Sequence, residues 1–226
     1  MKYEIKGTPL PVLIVSLAAG ESIDCENGAM SWMSGNLKQE TKGEGVGKMF
    51  SRALTGESLF TQTFTAEGKD GFIAFSSSFP GNIVAVDLTD GRSIVVQKRA
   101  YLASTPGVNK EIFFQKKFGA GLLGGEGFIM QKFSGKGIVF LEIDGACIEY
   151  TLGDGEKMVL DSGYLAMMDE TCKMDIEAVA GLKNKLLGGD GIFNTVVYGP
   201  GTVTVQTMPV MAVAGAVQPY IVSTRG

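Results

Sequence analysis

Three short segments that combine glycine with an acidic residue are the first candidates for chemistry. They are Leu54-Thr55-Gly56-Glu57, Leu123-Gly124-Gly125-Glu126 and Leu187-Gly188-Gly189-Asp190. If the carboxylates of Glu57, Glu126 and Asp190 met at one centre, their hard oxygen ligands would suit calcium or magnesium. The alternative is a tight turn in which each carboxylate accepts backbone N–H groups, and we favour this interpretation.

Two glycine-rich segments resemble nucleotide-binding loops. The segment 119–124 has the GxGxxG spacing, but a dinucleotide loop leads directly into a helix. The residues that follow, 128–130, are instead typical of a strand. The segment 43–48 resembles a phosphate-binding loop, yet Met49 stands where that motif has Ser or Thr. Both segments are therefore interpreted as turns.

Residue types exclude several catalytic classes. The chain has no histidine, which excludes histidine general bases, histidine-containing triads and histidine metal ligands. The adjacent carboxylates Asp169 and Glu170 are suited in principle to acid–base work, but their place between two predicted strands favours a solvated loop. We predict no catalytic residue, no cofactor-binding residue and no metal ligand, and we predict that the protein is not an enzyme.

The three cysteines, Cys25, Cys147 and Cys172, are widely spaced and form no CxxC pair. This pattern argues against a disulfide framework or a zinc site. It predicts buried free thiols, as in proteins of a reducing compartment. The segment 1–6 has no apolar signal core, and no apolar stretch approaches the roughly 18 residues of a membrane span. We therefore predict a cytoplasmic protein without stable membrane insertion.

Charge is distributed unevenly along a chain whose net charge is −4. Residues 1–91 and 137–226 are acidic, whereas residues 92–136 carry eight basic and two acidic groups. The acidic total argues against binding to DNA through its phosphates. We favour a solvated surface for the basic segment. The alternative is a basic patch that meets an acidic patch on a neighbouring copy.

Dense turn signals and alternating apolar residues predict an all-β protein. Asn-Gly and Asp-Gly pairs, which supply the positive φ angles of tight turns, recur along the chain. One of them, Asp144-Gly145, separates two apolar runs, 137–143 and 146–151, and predicts a β-hairpin. Alternation of residue types predicts strands at 173–178 and 202–207.

Helical periodicity is strong at one place in the sequence. Val46, Met49, Phe50, Ala53 and Leu54 follow the spacing of one helix face and predict a short helix near residues 45–54. A weaker helical candidate lies at 211–217.

Internal repetition is the most informative feature of the sequence. Gly20-Glu21 followed by Gly28 recurs as Gly155-Glu156 followed by Gly163, and Met33 and Met168 keep the same offset. We predict one β body over residues 1–226, a β-sandwich or double-stranded β-helix-like body. Its approximate internal repeats are 1–87, 88–152 and 153–226, and they are expected to pack together because units of this size are marginal alone.

Several segments together resemble a bacterial family of uncharacterised proteins related to the yeast "altered inheritance of mitochondria" proteins. They are Met1-Lys2-Tyr3-Glu4-Ile5, Gly28-Ala29-Met30 with Met33-Ser34, Phe79-Pro80-Gly81, the segment 122–128, and Gly181-Leu182-Lys183 with Gly188-Gly189. The resemblance covers essentially the full chain. It implies a β fold similar to that of the tryptophan RNA-binding attenuation protein, built from repeated units, and a cyclic homo-oligomer. It implies no activity.

Three functions are compatible with these observations. We favour a non-enzymatic structural or scaffold protein that acts as a cyclic homo-oligomer, with a trimer as the expected stoichiometry, because exposed sheet edges recruit other chains. One alternative is a module that binds RNA or another anion through the basic segment 92–136. The other is a carboxylate- or metal-dependent enzyme. Trp32 is interpreted as a core residue, with an interface anchor as the alternative.

Overall fold

The computed structural model of the chain describes residues 1–43, 60–116, 128–178 and 193–221. The helix predicted near 45–54, the segment 119–124 and the three Gly-acid segments lie outside these residues, as does the segment 43–48 except for Gly43 at the end of a strand. Within them the chain forms nineteen strands and a short α-helix, α1 (Val210–Val217). The prediction of an all-β protein is confirmed, and α1 corresponds to the weaker helical candidate.

The strands fall into a leading strand and three successive sets of six. The leading strand is β1 (Lys2–Lys6). The first set is β2 (Val12–Leu17), β3 (Ser22–Cys25), β4 (Trp32–Met33), β5 (Leu37–Gly43), β6 (Phe60–Ala66) and β7 (Gly71–Ser76). The second set is β8 (Gly81–Asp87), β9 (Ile94–Gln97), β10 (Tyr101–Ser104), β11 (Val108–Lys116), β12 (Phe128–Gly135) and β13 (Ile138–Asp144). The third set is β14 (Cys147–Leu152), β15 (Lys157–Asp161), β16 (Leu165–Asp169), β17 (Lys173–Ala178), β18 (Phe193–Tyr198) and β19 (Gly201–Gln206).

These strands form four sheets, which we call A to D. Sheet A has the order β1-β2-β7-β4, and sheet B has the order β5-β6-β3-β10-β13-β8. Sheet C has the order β11-β12-β9-β16-β19-β14, and sheet D has the order β15-β18-β17. All the described ladders are antiparallel. Sheets B and C each combine three strands from one set with three strands from the next.

Three apolar cores lie between consecutive sheets. The first joins sheets A and B, the second joins B and C, and the third joins C and D. Sheets B and C are therefore covered on both faces, which explains why β13 begins with four consecutive apolar residues. Its Phe140 lies in the first core, whereas Val139 and Leu141 lie in the second. A strand that is buried on both faces has a continuous apolar run instead of alternation.

Strand pairing follows the same scheme in each set of six. The first strand pairs with the sixth, the sixth with the third, and the fifth with the second and fourth. We call each set a unit: unit 1 is β2–β7, unit 2 is β8–β13 and unit 3 is β14–β19. The division into repeats 1–87, 88–152 and 153–226 stays a prediction, and the pairing scheme places β8 and β14 at the start of a unit.

The hairpin predicted around Asp144-Gly145 is wrong. Strand β13, before the turn, belongs to sheet B and pairs with β8 and β10, whereas β14 belongs to sheet C and pairs with β19. Gly145 does adopt the positive φ, 75°, that the pair was expected to supply. The positive φ of Gly145 was therefore predicted correctly, but Asp144 belongs to β13 and the chain uses this glycine to pass from one sheet to the next.

Candidate assembly interface

The two middle sheets show how one unit joins the next. In sheet B, β10 of unit 2 pairs with β3 of unit 1, and Ala103 lies opposite Cys25. In sheet C, β16 of unit 3 pairs with β9 of unit 2, and Met167 lies opposite Val96. Each junction thus joins the third strand of one unit to the second strand of the unit before it. The four strands at these junctions are largely buried.

The two outer sheets each contain half of such an arrangement. Sheet A ends at β4, the third strand of unit 1, and sheet D ends at β15, the second strand of unit 3. In sheets B and C, the third strand of a unit pairs with the second strand of the unit before it. Among the described strands, β4 is a third strand without such a partner, and β15 is a second strand without such a partner. Within the described residues, β4 and β15 are the edge strands whose equivalents in the other units lie inside a sheet. These equivalents are β10 and β16 for β4, and β3 and β9 for β15.

The other edge strands differ from β4 and β15 in this respect. Strands β5, β11 and β17 are counterparts, and all three lie at an edge. Strands β8 and β14 are also counterparts and also lie at an edge, while their counterpart β2 is covered by β1. Among the described strands, the pairing scheme therefore leaves β15 and β4 without the partner that their counterparts have. We call these two strands the open edges, and they are complementary because a second strand pairs with a third strand at each junction.

The open edges carry exposed apolar side chains. Trp32 on β4 is 47% exposed, and Val159 on β15 is 53% exposed. Strand β4 has no charged residue. Strand β15 carries a lysine and an aspartate at its two ends, as edge strands β1, β5, β11 and β17 also carry lysine together with an acidic residue, but its three central residues are apolar. Charged side chains are a common protection of sheet edges against further pairing. The interpretation of Trp32 as a core residue is wrong, because its side chain is about half exposed and its strand ends its sheet among the described strands.

The basic segment 92–136 meets acidic groups of its own chain. Lys110 forms an ion pair of 3.4 Å with Glu26 in unit 1. Lys132 forms an ion pair of 2.5 Å with Glu170 in unit 3, and Glu170 raises the pKa of this lysine above its ordinary value. Two lysines of the middle unit thus connect it to both outer units, so charge complementarity operates across the junctions inside the chain.

A cleft of about 290 Å³ lies where the loop after β7 meets the ends of β13 and β19. Its walls include Glu142, Asp144, Arg99 and Gln206, which makes it a second candidate site. One carboxylate oxygen of Glu142 accepts hydrogen bonds from the loop 77–79, at 2.7 to 3.1 Å. Glu142 therefore fastens this loop to β13.

The other polar groups of the cleft are also engaged in structure. The Gln206 side-chain NH₂ group donates to the carbonyl oxygen of Gly163 (2.8 Å), and the Gln206 side-chain oxygen accepts the backbone N–H of Asp144 (3.0 Å). The Asp144 carboxylate accepts the N–H of Val210 at the start of α1 (2.9 Å). Burial raises the pKa of Asp144 above its ordinary value, and the Val210 N–H acts in the opposite direction. The cleft is a polar connection between the loop, β13, β19 and α1.

The remaining candidate residues do not form a catalytic group within the described residues. Glu57, Glu126 and Asp190 lie outside those residues. Asp169 accepts the backbone N–H of Thr202 (2.7 Å), while its neighbour Glu170 pairs with Lys132. Across the described part of the chain, no three His, Cys, Asp or Glu side chains lie close enough to hold a metal ion.

All three cysteines are free. Cys25 and Cys172 are buried, and Cys147 is half-buried. Burial raises the pKa of the Cys25 thiol to about 12, so that it is protonated at neutral pH. Burial also raises the pKa values of Cys147 and Cys172. These thiols therefore have the character of small apolar side chains.

No helix in the described segments is both long and apolar enough to cross a membrane.

Comparison with known proteins gives a family match and a structural match. The family model described as Mitochondrial biogenesis AIM24 matches residues 3–208. A crystal structure of a Streptococcus pyogenes protein aligns with a TM-score of 0.77 and 24% identity, over 97% of this chain and 99% of that chain. At this identity the match shows a shared fold. A search of curated proteins found no match.

Proposed function

The chain belongs to the AIM24 family, and from this premise we propose that it is a non-enzymatic scaffold protein that acts as a cyclic homo-oligomer. The observation that carries the proposal is that sheets A and D are complementary halves of the six-stranded arrangement in sheets B and C. A second copy can supply the missing half at each end. We further propose a cytoplasmic location, on the basis of the cysteine pattern.

The complementary edges lie on different parts of the surface, so the contact between copies is heterologous. A heterologous contact closes into a ring when its rotation divides a full turn, and otherwise it forms a filament. We propose a closed ring, with three copies and therefore nine units as the expected stoichiometry. The sequence resemblance to folds like that of the tryptophan RNA-binding attenuation protein supports a ring of repeated units. That this chain has such a fold is part of the proposal.

The two alternative functions have less support from the site. An RNA- or anion-binding surface on segment 92–136 would compete with the carboxylates that already pair with Lys110 and Lys132. A carboxylate-dependent enzyme would need free carboxylates in the cleft, whereas Glu142 and Asp144 accept backbone hydrogen bonds there. Binding of a polyanion with a steep salt dependence would favour the first alternative over the scaffold.

The experiment is a measurement of molar mass by light scattering at micromolar concentration. We expect a multiple of the 23.9 kDa chain mass for the wild type and a monomer for Val159→Lys, because a lysine at the open edge opposes pairing. The matched control is Ile148→Lys on β14, an exposed apolar edge residue outside the proposed contact, which should keep the wild-type mass. A monomeric wild type would overturn the proposal.

A further inference from the structure

We propose that β4 of one copy pairs with β15 of the next copy in one defined antiparallel register. In this register Met33 lies opposite Val159 of the second copy, and Trp32 lies opposite its Leu160. The inference rests on the proposed function, because it specifies the contact by which the copies assemble. The two strands would complete a continuous sheet with the order β17-β18-β15-β4-β7-β2-β1.

The counterpart of Val159 is found from the short helices that join strands. The 3-10 helix Lys98–Ala100 directly follows the last residue of β9, and the 3-10 helix Ser162–Tyr164 directly follows the last residue of β15. Each leads without a gap into the third strand of its unit, β10 or β16. Gln97 therefore corresponds to Asp161, and counting back along each strand makes Val95 the counterpart of Val159.

The counterpart of Met33 is found from a shared turn. Glu21 in unit 1 and Glu156 in unit 3 form the same hydrogen bond, in which the carboxylate accepts the N–H of the third residue before it. Met33 and Met168 follow these glutamates at the same distance along the chain. Both methionines also pair with the last strand of their own unit. Met33 is thus the counterpart of Met168.

The register then follows from the junction in sheet C, where Met168 lies opposite Val95. Replacing each residue by its counterpart at the open edges places Met33 opposite Val159. The next pair in sheet C is Met167 with Val96, whose counterparts are Trp32 and Leu160. The junction in sheet B has the same register, because Ala103 lies opposite Cys25 and Ser104 lies opposite Asp24.

The side chains at the open edges suit this pairing. The four residues that come to lie opposite each other are uncharged, so no like charges meet across the contact. Trp32 and Val159 are about half exposed in the single chain, whereas Ala103 and Val95, at the equivalent junction positions, have no exposure. Aromatic and β-branched residues are favourable cross-strand neighbours. The contact would therefore cover the apolar surface that the half-sheets leave exposed.

The test is disulfide formation between cysteines placed at the two edges. In a Cys147→Ser background, Met33→Cys and Val159→Cys are prepared as separate single variants, mixed and oxidised. Directly opposite residues have Cβ atoms about 4.5–5.5 Å apart, close to disulfide geometry, whereas diagonal neighbours are about 7–8 Å apart. The controls pair Met33→Cys with Lys157→Cys or with Asp161→Cys, which shift the partner by two residues on the same strand.

We expect the Met33–Val159 pair to form intermolecular disulfides at least tenfold faster than either shifted pair. A second pair, Trp32→Cys with Leu160→Cys, tests the same register if Met33→Cys folds poorly. If the protein is an oligomer but a shifted pair cross-links faster, or no tested pair cross-links, the register is overturned. The scaffold proposal is unaffected by either result. A monomeric wild type overturns both. A double variant with both Met33→Cys and Val159→Cys in one chain tests closure within a single copy. If its disulfide leaves a monomer on a non-reducing gel while the mixed single variants do not cross-link, the pairing between copies is overturned.

Discussion

Glu21 and Glu156 form the same turn at equivalent places in units 1 and 3. The Glu21 carboxylate accepts the N–H of Ala18 at 2.8 Å, and the Glu156 carboxylate accepts the N–H of Gly153 at 2.7 Å. In both turns the glutamate N–H donates to the carbonyl oxygen of that same residue, at 2.9 Å and 3.2 Å. The Gly-Glu repetition in the sequence thus corresponds to a reciprocal backbone and side-chain turn, which fixes the approach to each following strand.

The Glu142 carboxylate is predicted to stabilise the loop 77–79. Glu142→Ala removes the acceptor of four hydrogen bonds and leaves backbone donors of Ser78 and Phe79 without it. We expect the free energy of unfolding to fall by about 1–3 kcal/mol, because hydrogen bonds to a charged acceptor are lost and the half-buried Phe79 N–H is left without a partner in the loop. Glu142→Gln keeps one acceptor oxygen and should lose less. Urea unfolding measures both changes.

The control for this prediction is Glu149→Ala on β14. Glu149 is exposed, and surface substitutions of this kind usually change stability by within about 0.5 kcal/mol. If Glu142→Ala were as stable as Glu149→Ala, the loop would not depend on the carboxylate.

The cysteines are predicted to differ in reactivity with alkylating reagents. Only the thiolate reacts, and the pKa of about 12 leaves Cys25 almost entirely protonated at pH 8. Cys147 is half-buried and is expected to be alkylated first in the native protein. Mass spectrometry after iodoacetamide treatment, with and without urea, measures the order. Native labelling of Cys25 as fast as Cys147 would contradict the burial of this thiol.

The Asp144 carboxyl is predicted to contribute a pH dependence to stability. Its pKa lies above the ordinary value of 3.8 because it is partly buried, with Glu142 acting in the same direction and Arg99 in the opposite one. The folded state therefore holds this proton more tightly than the unfolded chain does. As the pH rises from 3.8 through the raised pKa, this group lowers the free energy of unfolding.

Asp144→Asn isolates that contribution. The amide keeps an oxygen that can accept the Val210 N–H but carries no charge. We expect the stability difference between Asp144→Asn and the wild type to shift in favour of the variant as the pH rises from about 4 to about 7. Urea unfolding at several pH values measures the difference. A difference independent of pH would show that the carboxyl titrates alike in both states.

Individual strands were predictable from the sequence because alternation is a local property. The pattern at Lys173–Ala178 predicts β17 with the bounds that the structure has. The predicted strand 202–207 overlaps β19 (Gly201–Gln206) in the same way. In a half-buried strand, apolar residues on the buried face alternate with polar residues on the exposed face, so the strand can be predicted without knowledge of its partner.

Strand partners were not predictable, because pairing is decided by contacts between distant residues. The Asp144-Gly145 pair has the composition of a hairpin turn, but β13 finds its partner in β8, more than fifty residues earlier. The open edges depend on the same non-local information. Trp32 could be recognised as an edge residue only after β4 was known to end a sheet, since its apolar side chain alone suggests burial.

The two glycines Gly145 and Gly155 are predicted to respond differently to the same substitution. Both follow an aspartate, and both have a φ of 75°, so an alanine at either position costs about 1–2 kcal/mol for the left-handed conformation. At Gly155 a Cβ atom would meet nothing within 4 Å, whereas at Gly145 it would lie 2.7 Å from Met208 and Thr207 side-chain atoms.

We therefore expect Gly155→Ala to lose about the conformational cost and Gly145→Ala to lose a further 1–3 kcal/mol or so from overpacking. The additional loss arises because Gly145 lies where the chain passes from sheet B to sheet C, beside the end of β19. Thermal or urea unfolding of the two variants measures the difference directly. Equal losses would mean that the segment after β19 moves away freely, and that the passage between the sheets is not closely packed.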